Sequence, residues 1–154
     1  MNKLAEAERL FEMTRFEREL WEEGLSVCGM DEVGRGPLAG PVVTCCIMMP
    51  PEPLIEGVND SKKLFEKKRE RLYDEILSRA IAVGVASTDE KRIDEINILN
   101  ATKEAFVRAY HEMGKPAHTA LIDAVQGLDI PCRKHSIVHG DALSYSIACA
   151  SIIA

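Results

Sequence analysis

A chain of 154 residues, 46% of them hydrophobic, is long enough for one domain whose core needs no metal or disulfide staple. Its formal net charge of -6 excludes nucleic-acid binding through an overall basic surface, so any such contact must rest on a local patch. No stretch approaches the roughly 20 apolar residues of a membrane-spanning helix, the N-terminus is too charged for a secretory signal, and an odd set of cysteines without a C-x-x-C pair argues against a disulfide framework; the expectation is a cytoplasmic monomer without membrane contact.

In chain order, residues 2–23 carry Leu4, Ala7, Leu10, Phe11, Leu20 and Trp21 among many charges, and Gly24 follows as a C-cap, which predicts an amphipathic helix. "LSVCGMD" and "PVVTCCIMMP" read as two strands joined through a glycine-rich segment, the second too continuously apolar to have a solvent face. After the loop "PPEPLIEG", Asp60 or Ser61 caps a helix running to about Ala80, with Leu64, Leu72, Ile76 and Leu77 inward. "IAVGVAS" is a third strand. One helix, or two short ones, covers "DEKRIDEINILNATKEAFVRAYHEM" and stops at Gly114. "TALIDA" and "RKHSIVHG" are further strands, and "DALSYSIACASIIA" opens a last helix. That order suits a mixed α/β sheet flanked by helices, with residues 1–24 as a helical extension and 25–154 as the main domain. The apolar helical pattern runs to Ala154 without a terminal glycine, proline or charge, so the element is expected to continue in a longer protein.

The acidic residues carry the chemistry. Asp31 ends a hydrophobic strand, where a carboxylate costs desolvation free energy unless it is paired, hydrogen-bonded or metal-bound. Glu32 follows it directly, and neighbours on a regular strand face opposite ways, so both share a site only if the backbone leaves β geometry there. Asp123 ends "TALIDA", and Asp141 opens the last helix; taken singly, the first is a turn residue and the second an N-cap. Taken together, Asp31, Glu32 and Asp123 stand at strand carboxyl ends, where ligands gather in open α/β sheets. Clustered carboxylates repel one another unless cations offset them, and Mg²⁺ favours a few carboxylates plus phosphate oxygens. The chemistry that fits is two-metal phosphodiester hydrolysis, with ions about 3.5–4 Å apart.

"GRGPLAG" departs from the dinucleotide fingerprint by spacing and by Pro37, and it lacks the G-K-[ST] of a P-loop. The N–H groups of Gly34, Arg35 and Gly36 are instead placed to meet a polynucleotide's sugar or phosphate, although a simple turn also explains the glycines. The run "SKKLFEKKRERL" is a local basic patch in which Lys62 and Lys63 stand nearest the helix start, in reach of phosphates, while such runs are most often a solvated face.

The segments "GMDEVGRGPLAGPVV", "GVNDSKKL", "IDEINILNAT", "TALIDA" and "HGDALSYSIACASIIA" resemble, in their order, those of bacterial ribonuclease HII, the type 2 ribonuclease H. The resemblance spans Gly29 to Ala154, and the charged N-terminal helix is similar to an extension that some bacterial members carry. It implies a ribonuclease H-like mixed five-stranded sheet. It also implies Mg²⁺- or Mn²⁺-dependent endonucleolytic cleavage of RNA in RNA–DNA hybrids and at single ribonucleotides embedded in duplex DNA, on the 5′ side of the ribonucleotide. Carried over by position, the acidic metal ligands and catalytic residues fall on Asp31, Glu32, Asp123 and Asp141. The backbone sensor of the 2′-hydroxyl falls on Gly34, Arg35 and Gly36. The phosphate-contacting lysine falls on Lys62 or Lys63, with Lys63 favoured. Family members continue past "ASIIA" with a lysine, an arginine–aspartate pair and a tyrosine-bearing segment, and commonly have glycine where this chain has Ala124. Two rivals follow: a hybrid-binding fragment without turnover, and a related two-metal nuclease with another substrate.

Overall fold

The computed structural model describes residues 2–34 and 40–154. Among these the chain forms α1 (Lys3–Glu12), α2 (Arg18–Glu22), β1 (Val27–Val33), β2 (Val42–Met48), a 3₁₀ turn at Ser61–Lys63 and α3 (Glu66–Arg79). Then come β3 (Ala82–Thr88), α4 (Glu90–Ile96), α5 (Ile98–Met113), β4 (Thr119–Asp123), β5 (Arg133–Ile137), α6 (Gly140–Leu143) and α7 (Tyr145–Ile153). The sheet order is β3-β2-β1-β4-β5, antiparallel across β1–β2 and β2–β3 and parallel across β1–β4 and β4–β5. This is the mixed five-stranded sheet expected from the sequence. No helix of the described residues is long and apolar enough to cross a membrane.

Helices cover both faces of the sheet, which is why β2 is apolar at nearly every position. Cys45 and Ile47 point to one face, with Ile55, Leu72, Ile76, Tyr145 and Cys149. Cys46 and Met48 point to the other, with Met30, Phe106, Ala109, Met113 and Ile122. The approach of α7 to β1 is unusually close, because a Cβ on Gly29 would lie 2.3 Å from the Ser146 backbone. Only glycine leaves room there.

The long helices expected from periodicity are broken, residues 89–113 into two as one of the expected alternatives, and each break has a local partner. The N-terminal helix turns at 13–17, where the Met13 carbonyl accepts the Tyr145 N–H at 2.7 Å instead of continuing the helix. Consequently Leu4 and Phe11 are exposed, Arg18 sits 3.5 Å over the Phe11 ring, and Leu10 and Met13 carry the burial. The cap at Asp60 is correct, but it serves the 3₁₀ turn, and Leu64 is extended before α3 begins. Leu77, expected inward, is exposed, whereas Leu72 and Ile76 are buried. Asn97, at φ 71°, separates α4 from α5 and caps the latter. Ser144, extended at φ -120° and ψ 128°, separates α6 from α7.

Candidate metal centre

The site starts from strand register. Met30 pairs with Ile122 in the parallel β1–β4 ladder, so Asp31 and Asp123 stand level, one residue further along neighbouring strands. Asp31 pairs across β1–β2 with Cys45 and therefore faces α7. Asp141 enters from α6 on the same side. One carboxylate oxygen from each of Asp31, Asp123 and Asp141 lies within 4.8 Å of the other two.

The local structure holds these groups in place. The Asp123 carboxylate accepts the Gly140 N–H at 2.9 Å, which fastens α6 to the end of β4. A Cβ on Gly140 would come 2.6 Å from the end of the Ile147 side chain and 3.4 Å from the Asp123 carboxylate, so a larger residue would require Ile147 to shift. Asp141 is not an N-cap; His139 occupies that position, and Asp141 is buried in the first turn. Ala124 takes φ 59° immediately after Asp123, a left-handed conformation that glycine adopts without steric cost.

Glu32 occupies a different place. β1 keeps its register through Val33, so Glu32 pairs with Thr44, whose hydroxyl donates to Ala105 of α5. Its side chain therefore belongs to the opposite face from Asp31. Because the strand ends there, Glu32 still lines the same cleft, a hollow of about 290 Å³. The cleft walls also include Gly34, Lys62, Arg69 and Ser151. Larger hollows lie elsewhere, one of about 430 Å³ beside Glu6, Arg9 and Arg71, but the three convergent aspartates line the smaller one.

Among the described residues the cluster lacks a counter-charge of its own size. Burial pushes the Asp31 carboxyl up to about 9, and the charges of Asp123 and Asp141 push it the same way. Among the described residues, the ion pair on the three aspartates is Lys62 to Asp141, at 3.3 Å, with the lysine largely exposed. Asp141 raises the Lys62 ammonium above its usual value. The turn that carries Lys62 is tied to the core, since the Ser61 N–H donates to the Ser151 hydroxyl at 3.3 Å and that hydroxyl donates to the Ala148 carbonyl. Three convergent carboxylate oxygens, whose burial and mutual repulsion raise the Asp31 carboxyl, fit a hard divalent cation that would offset their charge.

Of the residues singled out from sequence, Asp31, Asp123 and Asp141 are brought together, and Glu32, Gly34 and Lys62 line their cleft. It is Lys62 rather than the favoured Lys63 that reaches the acidic cluster. Arg35 and Gly36 lie outside the described residues. Arg69 and Ser151 were missed: Arg69 was visible only as one charge in a basic run, and Ser151 as one small residue in an apolar helix.

A family model described as ribonuclease HII matches residues 28–154. The ribonuclease HII of Ruminiclostridium cellulolyticum is 49% identical over 150 residues, covering 97% of this chain and 59% of that relative. The chain thus spans about three fifths of that relative's length. Among solved structures, the ribonuclease H2 from Pyrococcus horikoshii OT3 superposes with a TM-score of 0.73 at 25% identity, covering 84% of this chain and 70% of that one. Bst-RNase HIII in complex with Mn²⁺ superposes with a TM-score of 0.70 at 22% identity, covering 84% of this chain and 50% of that one.

Proposed function

The chain belongs to the ribonuclease HII family, and we propose that it cleaves RNA in RNA–DNA hybrids and at ribonucleotides embedded in duplex DNA, 5′ to the ribonucleotide. The observation that carries this reading is the meeting of Asp31, Asp123 and Asp141 within 4.8 Å at the ends of two adjacent parallel strands, in an open cleft. In this reading those three aspartates hold Mg²⁺ or Mn²⁺, with Glu32 completing the acidic set from the cleft wall. Bound divalent cations supply Lewis acidity that offsets phosphate charge and lowers the pKa of water, in a two-metal arrangement.

The chain's own groups do the rest. Lys62, hinged on a turn fastened to α7, offers its ammonium to a phosphate that enters beside Asp141. Arg69 lines the same cleft and extends that positive rim. The N–H groups of the Gly34-Arg35-Gly36 segment take the 2′-hydroxyl, the group that lets a protein tell RNA from DNA at one site. Gly34 stands on the cleft wall at φ 93°. We place this activity in the cytoplasm and assign it to a monomer.

The test is nicking of a labelled DNA duplex that contains one ribonucleotide, with Mg²⁺ or Mn²⁺. The expected result is a single cut 5′ to the ribonucleotide, lost in Asp31→Asn and absent from an all-DNA duplex. Equal cutting of the all-DNA duplex, or an undiminished cut by Asp31→Asn, overturns the reading. Binding of the duplex without any cut would instead favour a hybrid-binding role.

A further inference from the structure

The family match begins at residue 28, yet the segment before it reaches the break between α6, which carries Asp141, and α7. Glu17, in the turn between α1 and α2, has no exposed surface at all. A carboxylate there loses its hydration, and an apolar residue of similar volume would serve simple packing better. Leu10 and Met13 of the same segment already supply that packing against Tyr145, Cys149 and Ile152. The buried acid therefore calls for a different reason.

Its hydrogen bonds supply one. Glu17 Oε2 accepts the Ser144 hydroxyl at 3.0 Å and the Ser146 N–H at 2.8 Å, while Oε1 has no partner among the described residues. Both bonds fall on the break between α6 and α7. There Ser144 is extended, its Oγ accepts the Ile147 N–H at 3.2 Å, and the Met13 carbonyl accepts the Tyr145 N–H. A carboxylate at this place also meets the positive end of α7. The element on the other side of the break, α6, is only four residues long and carries Asp141. A single turn does not hold its own direction in water, so its orientation is set by what fixes its two ends. One end is the Gly140 N–H bond to Asp123; the other is the Ser144 break.

We propose that Glu17 is a positioning residue for the cation site: by fixing the Ser144 break it sets the direction in which Asp141 enters the three-aspartate cluster. The segment 1–24 then belongs to the site itself rather than being an appendage to it. This inference rests on the reading of the cluster as a cation site.

The experiment is calorimetric titration with Mn²⁺ alone, at a temperature where melting curves show every variant folded. Glu17→Ala is expected to weaken Mn²⁺ binding by about tenfold or more, the range seen when groups that orient metal ligands are removed. Glu17→Gln, whose amide oxygen accepts the same two bonds, is expected to restore binding towards that of the wild type. A lowered Tm alone would not produce this pattern. Folded Glu17→Ala with wild-type Mn²⁺ affinity, or Glu17→Gln as weak as Glu17→Ala, overturns the proposal. If Glu17→Ala does not fold, Ser144→Ala takes its place: weakened Mn²⁺ binding supports the proposal and unchanged binding overturns it. Wild-type protein that binds no Mn²⁺ defeats the cation site and this inference with it, whereas wild-type binding that Glu17→Ala leaves intact defeats this inference alone.

Discussion

On the α5 face of the sheet, β1 and β4 contribute Met30 and Ile122 to a sealed apolar layer with Phe106 and Met113. On the α7 face, one residue further along, the same two strands contribute Asp31 and Asp123 to an acidic cluster. The period of two along a strand is what permits this: adjacent positions answer to different environments. The α5 face is finished once it is packed. The α7 face is packed only as far as Gly29, beyond which the charges of Asp123 and Asp141 act against ionisation of Asp31 and a cation could offset them.

If the two faces do separate tasks, substitutions should separate them too. Phe106→Ala on the α5 face should cost about 3–5 kcal/mol of stability, through lost burial and the cavity left behind. Urea unfolding measures that loss, and Mn²⁺ affinity at a temperature where the variant is folded should not change. A matching fall in Mn²⁺ affinity would show that the faces are coupled.

The next effect belongs to the α7 face. Asp31 titrates at about 9 in the metal-free fold, against about 3.9 for an unfolded aspartate. The folded state therefore holds a proton that the unfolded chain has released, and this group's contribution to stability is present below the unfolded value and lost as pH rises towards 9. The Tm of metal-free protein should fall across that window, and Asp31→Asn should flatten the fall. Cation binding displaces the same proton, so the Tm gain from Mn²⁺ should grow as pH rises. A metal-free Tm that rises with pH through this window, with Asp31 the group responsible, would contradict the electrostatic account.

The smallest effect concerns the joint between the faces. Ala124 follows Asp123 at φ 59°, where an L-residue costs about 1–2 kcal/mol relative to its preferred conformations. Glycine removes that cost but loses roughly 0.5–1 kcal/mol of backbone entropy on folding. Ala124→Gly should therefore stabilise slightly, by up to about 1 kcal/mol in urea unfolding, without altering Mn²⁺ affinity. A marked loss of stability would show that the methyl group matters more than the backbone angle.

The strands were readable from sequence because each presents an apolar run or an apolar end, and β2 in particular is apolar on both faces. The helices were readable as periodic stretches but, apart from residues 89–113, where one helix or two was left open, not as broken ones. Periodicity sees which side chains are apolar; it does not see that the Met13 carbonyl is taken by Tyr145, or that Asn97 adopts a positive φ. Asp31, Asp123 and Asp141 could each have been an ordinary turn or cap residue, and only the ladder register and the close approach of α6 put their oxygens together. Glu17 gave no sign at all, since one glutamate among many in a charged helix looks solvated until its burial is seen. Lys62 and Lys63 are equivalent as letters, and the 3₁₀ turn alone separates them.

The account stands on the three aspartates acting as one cation site, and calorimetric titration of Mn²⁺ into wild type, Asp31→Asn and Asp141→Asn tests it directly. Saturable binding by the wild type with release of protons, lost or greatly weakened in both variants while both remain folded, is the predicted result. No saturable binding by the folded wild type, or binding that neither substitution weakens, would contradict it.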